Sequence, residues 1–249
     1  MSALTPYLPT FVEWMGVIAV AMLLGISPVL KNRPLLGFKY PRREGGVALA
    51  LFTFLFLLAW QFYTAQWGRI LPAQGDARLD AMVPRALLGL AALAAIGLAL
   101  VLRGQPLRSA GWGKAVQSAG LQMGLGMAVI AIFLNNKLSA LFDGISAADS
   151  YLLLTWIVLA LAEETVFRGY IHPRLSAWLG KTWGWLAGAV VWALWQLPVL
   201  MAATPPESWW LPLGIALAQG LMLGWIFNKC DSALATGLYR AVAGWIAMI

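Results

Sequence analysis

Eight apolar stretches divide the chain almost from end to end, each close to the roughly 20 residues that carry an α-helix across a hydrocarbon core of about 30 Å. They run near residues 11–30, 47–66, 84–102, 115–134, 150–168, 183–203, 210–228 and 233–249. Such a chain has few options. Backbone N–H and C=O groups in lipid must be satisfied within their own segment, which makes each crossing a helix. The reading is therefore all-α: a polytopic transmembrane helical bundle of about eight spans, one membrane domain over residues 1–249. Composition agrees, with 61% hydrophobic residues, 11% charged residues and fourteen tryptophans, a balance that ordinary soluble domains do not have. No basic region followed by a short apolar core and a small-residue cleavage site precedes the first stretch, which is expected to stay as a span. The single cysteine, Cys230, excludes an intramolecular disulfide and any cysteine-rich metal site.

The net charge of +7 raises the question of nucleic acid, and the placement of the basic residues points to lipid headgroups instead. Alternate loops carry Lys31, Arg33, Lys39, Arg42 and Arg43, then Arg103, Arg108 and Lys114, then Arg168, Arg174 and Lys181, then Lys229. The opposite loops carry Arg69, Arg78, Arg85 and Lys137 among acids such as Asp76, Asp80, Asp143, Asp149 and Glu207. This positive-inside bias predicts both termini outside the cytoplasm, in a plasma membrane of bacterial or archaeal type. Loops marked by Pro34, Pro41, Gly45-Gly46, Gly104, Pro106 and Pro205-Pro206 are too short for a soluble domain. Trp14, Trp67, Trp112, Trp183, Trp185, Trp209 and Trp210 sit near span ends, where indoles anchor at headgroups. Gly120 and Gly124 form a small-x-x-x-small pair suited to close helix packing.

The informative residues are the polar ones inside spans: Glu13, Gln122, Glu163, Glu164, Gln196, Gln219 and Arg240. Glu13 reads as interfacial, and Gln122 and Gln219 as interhelical hydrogen-bonding groups. An uncompensated charge near the bilayer centre costs between about 2.5 and over 10 kcal/mol, so Glu163 and Glu164 need partners, an interfacial depth or protons. On a helix Glu164 and Arg168 are i,i+4 neighbours, while Glu163 projects about 100° away, an arrangement in which the two acids serve different partners. The plainer alternative is a charged helix end at the membrane surface. A lone arginine in the last span, Arg240, likewise needs an anion, and a pair with one of the two glutamates would clamp the fifth and eighth spans together. Glu163, Gln196 and Arg240 are expected to converge in the cytoplasmic half of the bundle. His172 reads as an interfacial histidine ahead of a helix-ending Pro173 rather than a metal ligand.

The run EETVFRGY from Glu163 to Tyr170, followed by Pro173-Arg174-Leu175, resembles the first motif (EExxxR) of the CPBP family, the CAAX-protease and bacteriocin-processing membrane proteins. WALWQLP over Trp192–Pro198 resembles the second, an aromatic residue followed four positions on by histidine and often by Leu-Pro. The resemblance covers about residues 150–249. It implies an intramembrane endopeptidase in which a glutamate activates water, while histidines and an asparagine hold a metal or stabilise the oxyanion. Carried over, Glu163 is the water-activating base, Glu164 a second acid and Arg168 the group that positions them. The departures are two: the second-motif histidine falls on Gln196, and the histidine and asparagine of the last span fall on Arg240 and Gly244. Gln196 can donate to an oxyanion but neither shuttles a proton near neutral pH nor suits a transition metal. Arg240 brings a fixed positive charge. No metal and no other cofactor is expected.

Two functions compete. One is a catalytically degenerate member that holds a membrane partner, lipid or pigment-like cofactor, or serves as a scaffold subunit of a membrane complex. The other is an active glutamate-dependent endopeptidase that processes a peptide or lipidated protein near the cytoplasmic face, with Gln196 or Arg240 as oxyanion donor. A transporter has less support, because no repeat pair with interrupted helices is visible.

Overall fold

A computed structural model describes residues 7–26, 37–65, 71, 75–142 and 144–249. The tail of the first expected span, with Lys31, Arg33, Pro34, Trp67, Arg69 and Asp143, lies outside the described residues. The main helices are α1 (Leu8–Leu24), α2 (Pro41–Thr64), α3 (Ala77–Leu102), α4 (Lys114–Leu134), α5 (Ala147–Glu164), α6 (His172–Leu179), α7 (Lys181–Ala203), α8 (Trp210–Cys230) and α9 (Ala233–Ile246). A π-helical stretch, Thr165–Ile171, joins α5 to α6, so the two form one rod of 33 residues. Counted that way the described residues form a bundle of eight main helices, and six of them are long and apolar enough to cross a membrane. The other two are shorter. At about 1.5 Å per residue the 14 residues of α9 reach about 21 Å, less than a full hydrocarbon core.

That short helix is the centre of the bundle. It packs against α4 on one side and α5 on the other, and small residues let it in. A Cβ at Gly120 or Gly124 of α4 would meet Ser232 or the Ala235 carbonyl, and one at Gly237 or Gly244 would meet Leu161 or Trp156 of α5. The Gly120/Gly124 pair thus marks a close helix approach. Elsewhere α3 lies along α5, α7 along α8, and α2 against α6 and α7.

Several helices begin earlier than hydropathy suggested. Helix α2 starts at Pro41, the favoured first position for proline, so Pro41 and Gly45-Gly46 lie within it rather than in a loop. Helix α3 starts at Ala77, where the Asp76 side chain caps the Arg78 N–H at 2.8 Å. The Arg78 side chain also bonds Asp76, together with Asp149 of α5 at 2.9 Å and the Met248 carbonyl. That hydrogen bond holds the Asp76 carboxyl down at about 2. As a result Arg85, expected in a loop, lies two turns inside α3.

Pro173 does not end its helix. A proline has no N–H to offer Gly169 and its ring crowds that residue's carbonyl; the wider π turn just before it absorbs the mismatch, with the His172 N–H reaching back to Phe167. The chain turns only at Gly180, whose φ of 86° is a left-handed value. The π turn also carries Gly169 beneath the turn Leu107–Ala110, where a Cβ would sit on the Ala110 carbonyl oxygen. Gly169→Ala is expected to lower stability by about 1–3 kcal/mol, because backbone rather than a flexible side chain blocks the space. Melting curves of the detergent-solubilised protein test this, with Gly46→Ala, where the new Cβ meets nothing within 4 Å, as the control. Equal midpoints for the two variants would count against it.

Candidate functional site

Glu163 and Glu164 close the α-helical part of α5, and their depth makes each carboxylate dependent on its neighbours. Their side chains are 1% and 0% exposed, and Arg240 is 5% exposed. Arg240 Nη2 donates to Glu163 Oε2 at 2.8 Å and Nη1 to Glu164 Oε1 at 3.0 Å. The expected pair with one glutamate is in fact a bridge across both, because the two terminal nitrogens of a guanidinium fork reach separate acceptors. Two acids projecting in different directions thus do share a partner. The second oxygen of Glu163, Oε1, accepts from Trp195 Nε1 at 2.9 Å and Arg85 Nε at 3.4 Å. Arg85 Nη2 continues to Gln196 Oε1 at 2.7 Å.

Arg168 is the i,i+4 neighbour of Glu164 as expected, at 3.6 Å, too long for a hydrogen bond. It is 2% exposed, and none of its three nitrogens has a hydrogen-bond partner among the described residues. Its guanidinium stands 4.5 Å from the centre of the Trp192 ring, and that of Arg240 stands 4.4 Å from the same ring. Trp192 is the aromatic residue of the second motif. Its electron-rich faces offset the repulsion between two cations that hydrogen bonds do not fully compensate.

Sequence reasoning missed Arg85. Taking the span to begin at residue 84 put it in a loop, although the Asp76 cap signal nine residues before Arg85 places it within the helix. The group also sits differently from expectation along the bundle axis. Arg85 is about 12 Å from the Ala77 end of α3 and Gln196 about 10 Å from the Ala203 end of α7, so both lie nearer the end opposite the basic loops. A cavity of about 380 Å³ reaches that end, lined by Arg85, Gln196 and Arg240 together with Tyr7, Leu200 and Ala247.

The remaining polar residues separate cleanly. Glu13 is buried rather than interfacial: its oxygens accept from Tyr239 Oη at 2.6 Å and Asn135 Nδ2 at 2.8 Å. Gln219 lines the cavity. Gln122 faces outward from α4 and is exposed on the bundle surface, contrary to the interhelical role expected of it. His172 is buried beside α8, with Nε2 3.0 Å from Asn228 Oδ1, so it is not at a rim. Arg174 and Arg168, counted as headgroup contacts, are both buried. Trp14 is buried too, whereas Trp183 and Trp210 are exposed near helix ends as expected.

These contacts limit the chemistry. A general base needs a free lone pair facing water, and both Glu163 oxygens are already acceptors. The donor set does not fit a metal. Gln196 has its carbonyl oxygen turned to Arg85, Arg240 is a cation where an imidazole would ligate, and a Cβ at Gly244 meets the Trp156 ring, which leaves no room for asparagine. Among the described residues no three of His, Cys, Asp and Glu come together as ligands.

Residues 148–246 match the family described as Type II CAAX prenyl endopeptidase Rce1-like. No curated protein and no solved structure matches the chain.

Proposed function

We propose that this membrane protein, whose residues 148–246 match the CAAX-protease (CPBP) family, is a catalytically degenerate member acting as a binding or scaffold subunit in a membrane complex. One observation carries the reading: Glu163, the residue matching the family's water-activating base, is held by Arg240, Arg85 and Trp195 through both oxygens. A carboxylate held in this way by two guanidinium groups and an indole N–H, and only 1% exposed, is not presented to water as a general base would be. Gln196 and Arg240 stand where proton-transferring imidazoles would be, and neither exchanges a proton near neutral pH. On this reading Glu163, Glu164, Arg168, Gln196 and Arg240 maintain the cavity rather than break a bond.

An active endopeptidase is the second reading. It is favoured by Gln196 Nε2, a buried donor with no partner among the described residues, which has the chemistry of an oxyanion donor. The two readings separate in the native membrane. Mass spectrometry of newly formed peptide termini, comparing wild type with Glu163→Gln at matched protein levels, is expected to show no difference, while gentle purification of wild type recovers a membrane partner. Any terminus that disappears with Glu163→Gln and returns on complementation establishes the endopeptidase and overturns the proposal.

A further inference from the structure

The cavity beside Arg240 has an uneven supply of hydrogen-bonding groups, and that imbalance describes a ligand. Three carboxylates lie in or behind its wall, and each is engaged: Glu13 by Tyr239 and Asn135, Glu163 by Arg240, Arg85 and Trp195, and Glu164 by Arg240. Glu163 and Glu164 do not line the cavity at all, whereas Arg85, Gln196 and Arg240 do. The one carboxylate oxygen of the three without a partner among the described residues, Glu164 Oε2, therefore lies outside the lining.

Donors are left over. Arg85 uses Nε on Glu163 and Nη2 on Gln196, and its side chain is 21% exposed. The bond from Arg85 also fixes the Gln196 amide, since only the carbonyl oxygen can face a guanidinium nitrogen. Nε2 is then turned away from Arg85, and it is buried without a partner among the described residues. A partly exposed guanidinium in the lining, with no carboxylate oxygen left to it there, favours a ligand that accepts hydrogen bonds and carries negative charge.

Thr10, Gln219, Tyr239 and the already paired Glu13 add polar atoms to the lining, and Trp14, Trp156, Val199, Leu200, Pro212 and Ile215 form apolar walls. A volume of about 380 Å³ falls at the small end of the range for small-molecule sites, roughly 300–1,000 Å³. Resting on the binding reading above, we infer that this cavity takes a monocarboxylate with an unbranched apolar chain of medium length. The carboxylate meets Arg85 near the floor, beside Gln196, and the chain lies along the tryptophan and aliphatic walls toward the Leu200 and Ala247 end.

The test is saturable binding of radiolabelled decanoate to the protein in nanodiscs of zwitterionic lipid, corrected for partition into empty nanodiscs. Decanoate is expected to bind at one site, and decanol, which has the same chain and no charge, at least tenfold more weakly. Arg85→Gln should weaken decanoate at least tenfold and leave decanol unchanged. Because Arg85 also bonds Glu163, a second variant, Ala216→Trp, blocks the cavity from α8 without touching the arginines and should abolish binding with the melting midpoint retained. Equal affinity for decanoate and decanol, binding unaffected by Ala216→Trp, or no saturable site would overturn the inference. Failure of the binding reading looks different: Glu163-dependent cleavage would appear, with decanoate then bound as an inhibitor.

Discussion

Replacing Arg240 by leucine is expected to lower stability by about 3 kcal/mol or more, a shift of about 10 °C in the melting midpoint for a chain of this size. Charge counting alone predicts the reverse. Glu163 and Glu164 face Arg85, Arg168 and Arg240, so deleting one arginine leaves two of each sign and removes the repulsion between Arg168 and Arg240 across Trp192. Hydrogen bonding decides the sign. Glu164 is 0% exposed and its only hydrogen bond among the described residues comes from Arg240, and a buried carboxylate stripped of its donor keeps its full desolvation cost. Arg168 can recover part of that by closing its 3.6 Å separation. The double-mutant cycle with Glu164→Gln isolates the pair: the second change should be much less harmful in the leucine background than in wild type. A neutral Arg240→Leu would mean that Arg168 alone suffices, and the bridge would then lose its structural meaning.

How much of this was legible depends on what hydropathy can see. The apolar runs gave the bundle, and the need of a lone cation for an anion led from Arg240 to Glu163 and Glu164 before any coordinates. What escaped were residues whose character changes with context. Arg85 and Glu44 sit near the ends of apolar runs, where a hydropathy window assigns charge to loops, yet each lies in the first turns of a longer helix and points inward. Pro173 and His172 read as a helix end, because nothing local announces that a π turn upstream will accommodate the proline. The depth of the site escaped for a related reason. Counting residues from one set of helix ends ignores how far each helix extends beyond the other, and Arg85 enters from the far end.

The same blind spot hid a second buried ion cluster, and it yields the other large expected effect. Glu44 of α2 accepts from Arg103 through both oxygens, from Gln105 Nε2 at 3.0 Å and from Arg174 Nε at 3.2 Å. Arg174 is fully buried. Its Nη1 donates to the carbonyls of Ser109 and Tyr170 and its Nη2 to Gln105 Oε1, with the guanidinium 3.5 Å from the centre of the Tyr170 ring. The two arginines are not equivalent. Arg103 keeps 20% of its side chain exposed and can turn to headgroups if Glu44 is lost, whereas Arg174, 0% exposed, cannot leave. Glu44→Leu therefore strands one buried cation, and the expected cost is about 3–5 kcal/mol. Arg174→Met on its own should cost less, since Glu44 retains Arg103 and Gln105. Combining the two should restore much of the stability lost in Glu44→Leu, because apolar residues of similar size replace a buried pair at little net cost. Chemical denaturation in mixed micelles ranks the three variants, and a double variant less stable than Glu44→Leu would show that the carbonyl contacts of Arg174, not its charge, hold α6 against α2.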